Sequence, residues 1–233
     1  MKNTAFILIH GAGLGSFVWD EMKPHLALPA IAINFPGRSQ SDEEKLQISF
    51  PEYTSYILEQ IKGLEFEKFI IVAHSVGGCL GLKIAEHLGS KLAGFIAVSA
   101  VIPKDGKSFI SCLPFPQRII LPIILSVAGS NPPQKAIEAG LCNDLGDGKK
   151  AMVVKNFKPE SKFLFTQKCH ASIPRSKKLY IKLTEDKEIA PPMQDKMARN
   201  LQSEVAVMSS GHLPMLSKPI ELAKLLNSFA VPS

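Results

Sequence analysis

Ser75 sits in a setting that could do nucleophilic chemistry. It follows the run Phe69-Ile70-Ile71-Val72-Ala73-His74 and precedes Val76-Gly77-Gly78. A buried strand running straight into a serine, with two glycines where a helix must begin, is the context of a nucleophile elbow. There the serine occupies a strained turn with its oxygen exposed. Strand and helix pass so closely that the positions two before and two after the serine must be small. Gly77 meets that need, and Ala73, where glycine is usual, adds one methyl group. A serine hydroxyl is a weak nucleophile without a base, and the base needs a third group to fix its tautomer. His212, in Ser209-Ser210-Gly211-His212-Leu213-Pro214-Met215, is the histidine best placed for the first role. His25 and His87 fall in helical patterns, His170 in a proline-rich stretch, and His74 is turned from Ser75 by adjacency. The expected carboxylate is Asp186, just beyond a strand-like run at 178–183. Glu185 and Glu188 are its local rivals, and Asp144 and Asp147 remoter ones.

Acyl transfer also needs backbone N–H groups aimed where the oxyanion develops. The glycine-rich His10-Gly11-Ala12-Gly13, after the first apolar run, can supply one from Ala12, and the residue after the nucleophile, Val76, supplies the other. His10 is expected to brace that loop rather than to transfer protons. Cys79, Cys112, Cys142 and Cys169 form no CxxC pair and no metal-ligand spacing, so no metal is expected and the thiols should be reduced. Cys79 reads as a small core residue.

The elements that must hold these groups alternate along the chain. Residues 5–9, 30–35, 69–73, 95–100, 178–183 and 204–208 are rich in Ile, Val and Phe, and most run continuously apolar, as buried parallel strands do. Between them, 51–64, 77–88, 192–201 and 219–229 space their apolar residues at helical intervals. Alternating strand and helix predicts a mostly parallel sheet flanked by helices on both faces. The alternation breaks at 101–175, which holds eight of the 17 prolines and helix-like pieces at 117–127 and 133–140 but no convincing strand. A structureless loop of that length is improbable in a compact domain. The expected organisation is a catalytic core formed by 1–100 and 177–233, interrupted by a mainly helical cap at 101–176.

The chain has 233 residues, 45% of them hydrophobic, which suits one large domain or two small ones and excludes a disordered or fibrous protein. No apolar run approaches the roughly 20 residues of a membrane-spanning helix, and the start is too short for a secretory signal, so a cytoplasmic protein is expected. The formal charge is +6, but it is unevenly placed: 101–178 carries 13 basic and 5 acidic residues, and the remainder 14 and 16. The lysines of the basic stretch lie singly or in pairs without interleaved aromatics, which predicts a solvated surface and no nucleic-acid partner. Whether the excess steers anionic esters to a pocket mouth depends on where those side chains point.

Together these motifs make the chain similar to the α/β-hydrolases over nearly its whole length. The order Ser75, Asp186, His212 is the family's order. The stretch Asn34-Phe35-Pro36-Gly37-Arg38-Ser39-Gln40-Ser41-Asp42 resembles its D-x-P-G-x-G-x-S and departs from it at Asn34 and Ser39. A closer likeness is to the plant methylesterase and hydroxynitrile lyase branch and its bacterial esterase relatives. It is carried by the segment from His10 to Trp19, by Leu141-Cys142-Asn143-Asp144, and by the segment from Tyr180 to Gln194. That resemblance implies a small helical cap over an apolar pocket, no cofactor, small ester substrates and, commonly, a homodimer. The lyases resemble the esterases but carry threonine after the first motif histidine and lysine after the catalytic one. Here those positions are Gly11 and Leu213, which favours ester hydrolysis over lyase activity; a non-hydrolytic, receptor-like binding function is the alternative that the intact triad argues against. Gly11, His10, Leu213 and Phe115 are the expected substrate-binding residues. Phe109, Leu113, Ile119, Leu125, Phe163 and Phe165 either line the pocket or pack the cap onto the core.

Overall fold

The computed structural model describes residues 3–37 and 47–230. Of the stretch beginning at Asn34, residues 38–42 lie outside them. Six parallel strands form one sheet in the order β2-β1-β3-β4-β5-β6. They are β1 (Thr4–Ile9), β2 (Ala30–Ala32), β3 (Lys68–His74), β4 (Leu92–Val98), β5 (Lys177–Leu183) and β6 (Glu204–Met208). The helices are α1 (Phe50–Ile61), α2 (Gly77–Leu88), α3 (Phe109–Cys112), α4 (Gln117–Val127), α5 (Gln134–Ala139), α6 (Asp147–Asn156), α7 (Lys162–Thr166), α8 (Pro191–Leu201), α9 (Pro214–Ser217) and α10 (Pro219–Ala230). Among the described residues no helix is long and apolar enough to cross a membrane.

The continuous apolar runs are explained by burial on both faces of the sheet. Ile7, Ile9, Ile71, Ala73, Phe95 and Ala97 pack with α1, α2 and α8 on one face. Phe6, Leu8, Ile70, Val72, Ile96 and Val98 pack with Trp19, Met22 and α10 on the other. Strand side chains alternate between faces, so a strand covered on both sides has no position left for a polar residue. Each Ile, Leu, Val or Phe among them contributes about 1.5–3 kcal/mol on burial. Helix α1 begins in a capping box, in which the Ser49 hydroxyl accepts from the Glu52 amide and the Glu52 carboxylate accepts from the Ser49 amide. Helix α2 has no side-chain cap, because it starts directly from the turn that carries Ser75.

Two strands differ by more than one residue from the sequence expectation. β2 ends at Ala32, leaving Ile33 to Phe35 to curl toward His10, whose ring lies 3.9 Å from that of Phe35. β4 begins earlier, at Leu92, and ends at Val98. Ser99 follows at φ +39°, so the chain leaves the sheet there although Ala100 and Val101 are equally apolar. All five helices α3 to α7 lie between β4 and β5, where the sequence lost its strand periodicity.

Candidate active site

Ser75 has φ +55°, a left-handed conformation that a non-glycine residue adopts only when its surroundings impose it. Here the surroundings are the strand ends. The Ser75 amide donates to Val98, and its carbonyl accepts from the Gly78 amide at 3.1 Å and the Val101 amide at 2.9 Å. The elbow is tight on both sides. A Cβ at Gly77 would stand 2.6 Å from the His10 carbonyl oxygen. The methyl group of Ala73 is accommodated because it faces Gly81, whose own Cβ would come within 3.0 Å of it.

His212 follows β6 in a loop fixed at several points. The Gly211 amide donates to Asp144 Oδ2 at 2.6 Å, the Ser210 hydroxyl donates to the same oxygen at 3.1 Å, and His74 Nε2–H donates to the His212 carbonyl at 2.8 Å. Burial, followed by the neighbouring His212, holds the His74 imidazole well below its ordinary pKa, so it stays neutral. His212 Nδ1 and Asp186 Oδ2 are 2.7 Å apart, with both side chains buried. That bond leaves Nε2 as the nitrogen available for proton transfer.

Asp186 is the carboxylate that engages His212, and the rivals are occupied elsewhere. Asp144 holds the Gly211 amide, Glu185 accepts from the Ser209 hydroxyl, Asp147 lies in the first turn of α6, and Glu188 lines a cavity. Asp186 accepts four hydrogen bonds. His212 and the Ser99 hydroxyl, at 2.6 Å, share Oδ2, and the Glu188 and Ile189 amides reach Oδ1 at 2.8 and 2.9 Å. Burial by itself would raise the Asp186 pKa; the charge and hydrogen bond of His212, with Ser99 and Ile189, overcome it and hold the carboxyl at about 2. For His212, burial pulls the pKa down, but the Asp186 charge and hydrogen bond outweigh it and the net shift is upward.

Ser75, Val76, Ala12 and His212 share the floor of a cavity of about 430 Å³. Among the described residues no acceptor engages the Ala12 or Val76 amide. The walls come from the β4–β5 insertion and are mostly apolar, with Phe109, Leu121, Leu125, Phe157 and Phe165 prominent. The Ala12 loop is tied to that insertion at Gly13. Its amide donates to Glu160 at 3.2 Å, and its carbonyl accepts from the Lys158 amide at 3.0 Å. Glu160 is 1% exposed and also accepts from the Tyr53 hydroxyl at 2.9 Å.

The expected pocket residues are only partly brought here. Phe115 is 70% exposed and does not line the cavity, because the chain entering α4 turns its ring to the outside; Phe109 and Phe165 occupy the wall instead. Leu213 is wholly buried among Met208, Met215 and Leu216. His10 is buried, with Nδ1–H bonded to the Gly11 carbonyl at 2.7 Å and Nε2 accepting from the Phe35 amide at 3.3 Å, so it braces the loop beneath the cavity. Gly11 packs against Ser75 and His74, where a Cβ would stand 2.9 Å from the Ser75 Cβ. Leu125 does line the wall; Leu113, Ile119 and Phe163 do not. All four cysteines are free and buried, and among the described residues no three His, Cys, Asp or Glu side chains converge as a metal site.

Ser99, Asp144 and Glu160 were not singled out as part of this machinery from the sequence. Asp144 had appeared as a rival acid and as part of the Leu141-Cys142-Asn143-Asp144 stretch. A serine just past a strand end carries a weak signal, and a lone acid in a basic insertion carries none.

Comparisons with known proteins agree with this architecture. A family model described as the alpha/beta hydrolase family matches residues 6–225. A putative methylesterase 14, chloroplastic, from Arabidopsis thaliana is 25% identical over 97% of this chain and 71% of its own length. Among solved structures, an extracellular alpha/beta-hydrolase from a Paenibacillus species, described as sharing structural and functional homology with tobacco salicylic acid binding protein 2, superposes with a TM-score of 0.86. It is 20% identical, covering 99% of this chain and 100% of that one. Polyneuridine aldehyde esterase superposes at 0.80 with 19% identity, covering 98% and 100%.

Proposed function

The chain belongs to the alpha/beta hydrolase family, and we propose that it is a serine esterase acting on small carboxylic esters through an acyl-enzyme. One observation carries this reading: Ser75, His212, Ala12 and Val76 line the same apolar cavity, with His212 Nδ1 committed to Asp186. His212 Nε2 takes the Ser75 proton as Oγ attacks the ester carbonyl. The Ala12 and Val76 amides receive the developing oxyanion, and the imidazolium is stabilised by Asp186. Collapse of the tetrahedral species expels the alcohol, which takes the proton from His212. Water activated by the same imidazole then releases the acid and frees Ser75.

The apolar walls favour substrates with an apolar acid or alcohol part, in keeping with the methylesterase name of the Arabidopsis relative. The insertion at 101–176 acts as the cap and the flanking segments as the catalytic core. Lyase chemistry is disfavoured because Leu213, where the lyases carry lysine, is buried in the core, and among the described residues no lysine or arginine lines the cavity. A fluorophosphonate that labels Ser75, and hydrolysis of short p-nitrophenyl esters lost in Ser75→Ala, are the expected results. Unlabelled Ser75, or wild-type turnover in that variant, overturns the reading. No turnover across a broad ester panel, with tight binding of a small apolar ligand, would instead support a receptor-like function.

A further inference from the structure

The cavity over Ser75 has apolar walls, yet Glu188 is among the residues that line it. Its backbone is fixed, since the Glu188 amide donates to Asp186 Oδ1 at 2.8 Å. Its carboxylate rests against the end of α5, where the missing side chain of Gly140 makes room: a Cβ there would stand 1.7 Å from Glu188 Oε1. Among the described residues no hydrogen-bond donor or cation pairs with this carboxylate. The lysines that make the insertion basic are absent from the described lining. Glu188 is therefore the acid of a described lining that carries no lysine or arginine.

We propose that Glu188 is a specificity-determining residue that gives the cavity a preference for esters carrying a cationic ammonium group. The inference rests on the esterase reading and deepens it by naming a substrate class. Glu188 lines the cavity yet is exposed to solvent, so a substrate cation beside it gains a modest, salt-screened attraction that no protein cation supplies. Surrounding protein atoms push the Glu188 carboxyl above its ordinary value, while His212 pulls it down. Phe109, Phe157 and Phe165 line the same cavity and offer ring faces to which an alkylated ammonium is attracted. An anionic ester would meet Glu188 with like charge.

The test compares isosteric esters that differ only in charge. 4-(Trimethylammonio)phenyl acetate is paired with 4-tert-butylphenyl acetate, and methyl 4-(trimethylammonio)benzoate with methyl 4-tert-butylbenzoate. The first pair places the cation on the alcohol part and the second on the acyl part. In at least one pair the wild-type ratio of kcat/KM, cationic over neutral, should exceed that of Glu188→Gln by about fivefold to tenfold at low ionic strength. Glu188→Lys should lower the ratio further, and added salt should narrow the difference. Calorimetry on Ser75→Ala, with and without Glu188→Gln, should give the same ordering for 4-(trimethylammonio)phenol against 4-tert-butylphenol if the preference lies on the alcohol side. The corresponding benzoic acid esters serve for the acyl side. Ratios unchanged by Glu188→Gln in every kinetic and binding arm overturn the proposal. Failure of the wild type to turn over either ester overturns the esterase reading instead, and the binding ratios then decide the role of Glu188.

Discussion

The floor of the cavity and the helix that covers it are built in opposite ways. On the floor, His212, Asp186 and Ser99 are all at most 4% exposed, and each of these three side chains has a named partner. In α4, Leu125 is the buried residue, while Ile119, Ile123 and Val127 are 53%, 60% and 85% exposed. The same helix turns Leu121, Ile124 and Leu125 toward the cavity. A group that must hold a proton-transfer geometry is enclosed and hydrogen-bonded, so displacing it leaves buried polar atoms unpaired. A helix with little buried surface costs little to move. Glu160 joins the two regions by fixing Gly13 from within the insertion.

If the floor carries the chemistry, substitutions there should cost orders of magnitude and those on the outer face of α4 almost nothing. Ser75→Ala should lower kcat by about 10⁶-fold, measured on p-nitrophenyl acetate with the mass and melting temperature of the variant as controls. Asp186→Asn should cost about 10⁴-fold in kcat. The sign of its pH effect follows from the raised His212 pKa, because protonated His212 cannot accept the Ser75 proton. The wild-type kcat/KM should fall as pH drops through a value above the ordinary histidine pKa of 6.5, and Asp186→Asn should move that limb to lower pH. The same carboxylate contributes to folding. Its native pKa of about 2 lies below the ordinary 3.8, so the stabilisation is present above that ordinary value and is lost as pH falls toward 2. Acid titration of the wild type should show a loss of about 2 kcal/mol in that window that Asp186→Asn lacks.

Smaller effects sharpen the comparison at the joint. Glu160→Gln should lower kcat about tenfold by loosening the Ala12 loop and cost about 2 kcal/mol of stability, read by urea unfolding beside ester kinetics. Equal kcat in the two proteins would mean that the insertion does not position the floor. Ile123→Ser, on the outer face of α4, should change stability by less than about 0.5 kcal/mol and leave kcat/KM for a small soluble ester within about twofold. A large loss there would show that the exposed face is held by contacts the monomer does not have.

Much of the floor was legible because its signals are local. A seven-residue strand, β3, ending in a serine and two glycines can be read without knowing what lies beside it, and Asp186 and His212 each follow their own strand. The strand ends were less legible. Residues 95–100 read as one strand, yet the chain turns out of the sheet at Ser99, whose hydroxyl donates to Asp186. Phe115 was placed in the pocket because an insertion rich in Ile, Leu and Phe gives no sign of which face meets the cavity. Helix α4 is apolar on both faces, and periodicity cannot orient such a helix.

The sequence by itself determined the layered α/β architecture, the chain order of serine, aspartate and histidine, and the interruption between the fourth and fifth strands. Each follows from short-range rules: side-chain alternation, proline and glycine placement, and the steric needs of one tight turn. The tertiary structure alone decided which acid meets His212, that Ser99 and the Glu188 and Ile189 amides hold that acid, and that Glu160 clamps the loop of Ala12. It also set one unpaired carboxylate, Glu188, in the cavity wall of an otherwise basic insertion's making. The pairings made by His212, Ser99 and Glu160 join residues far apart in the chain, and a hydrogen bond across such a distance leaves no periodic trace in the order of the residues that make it.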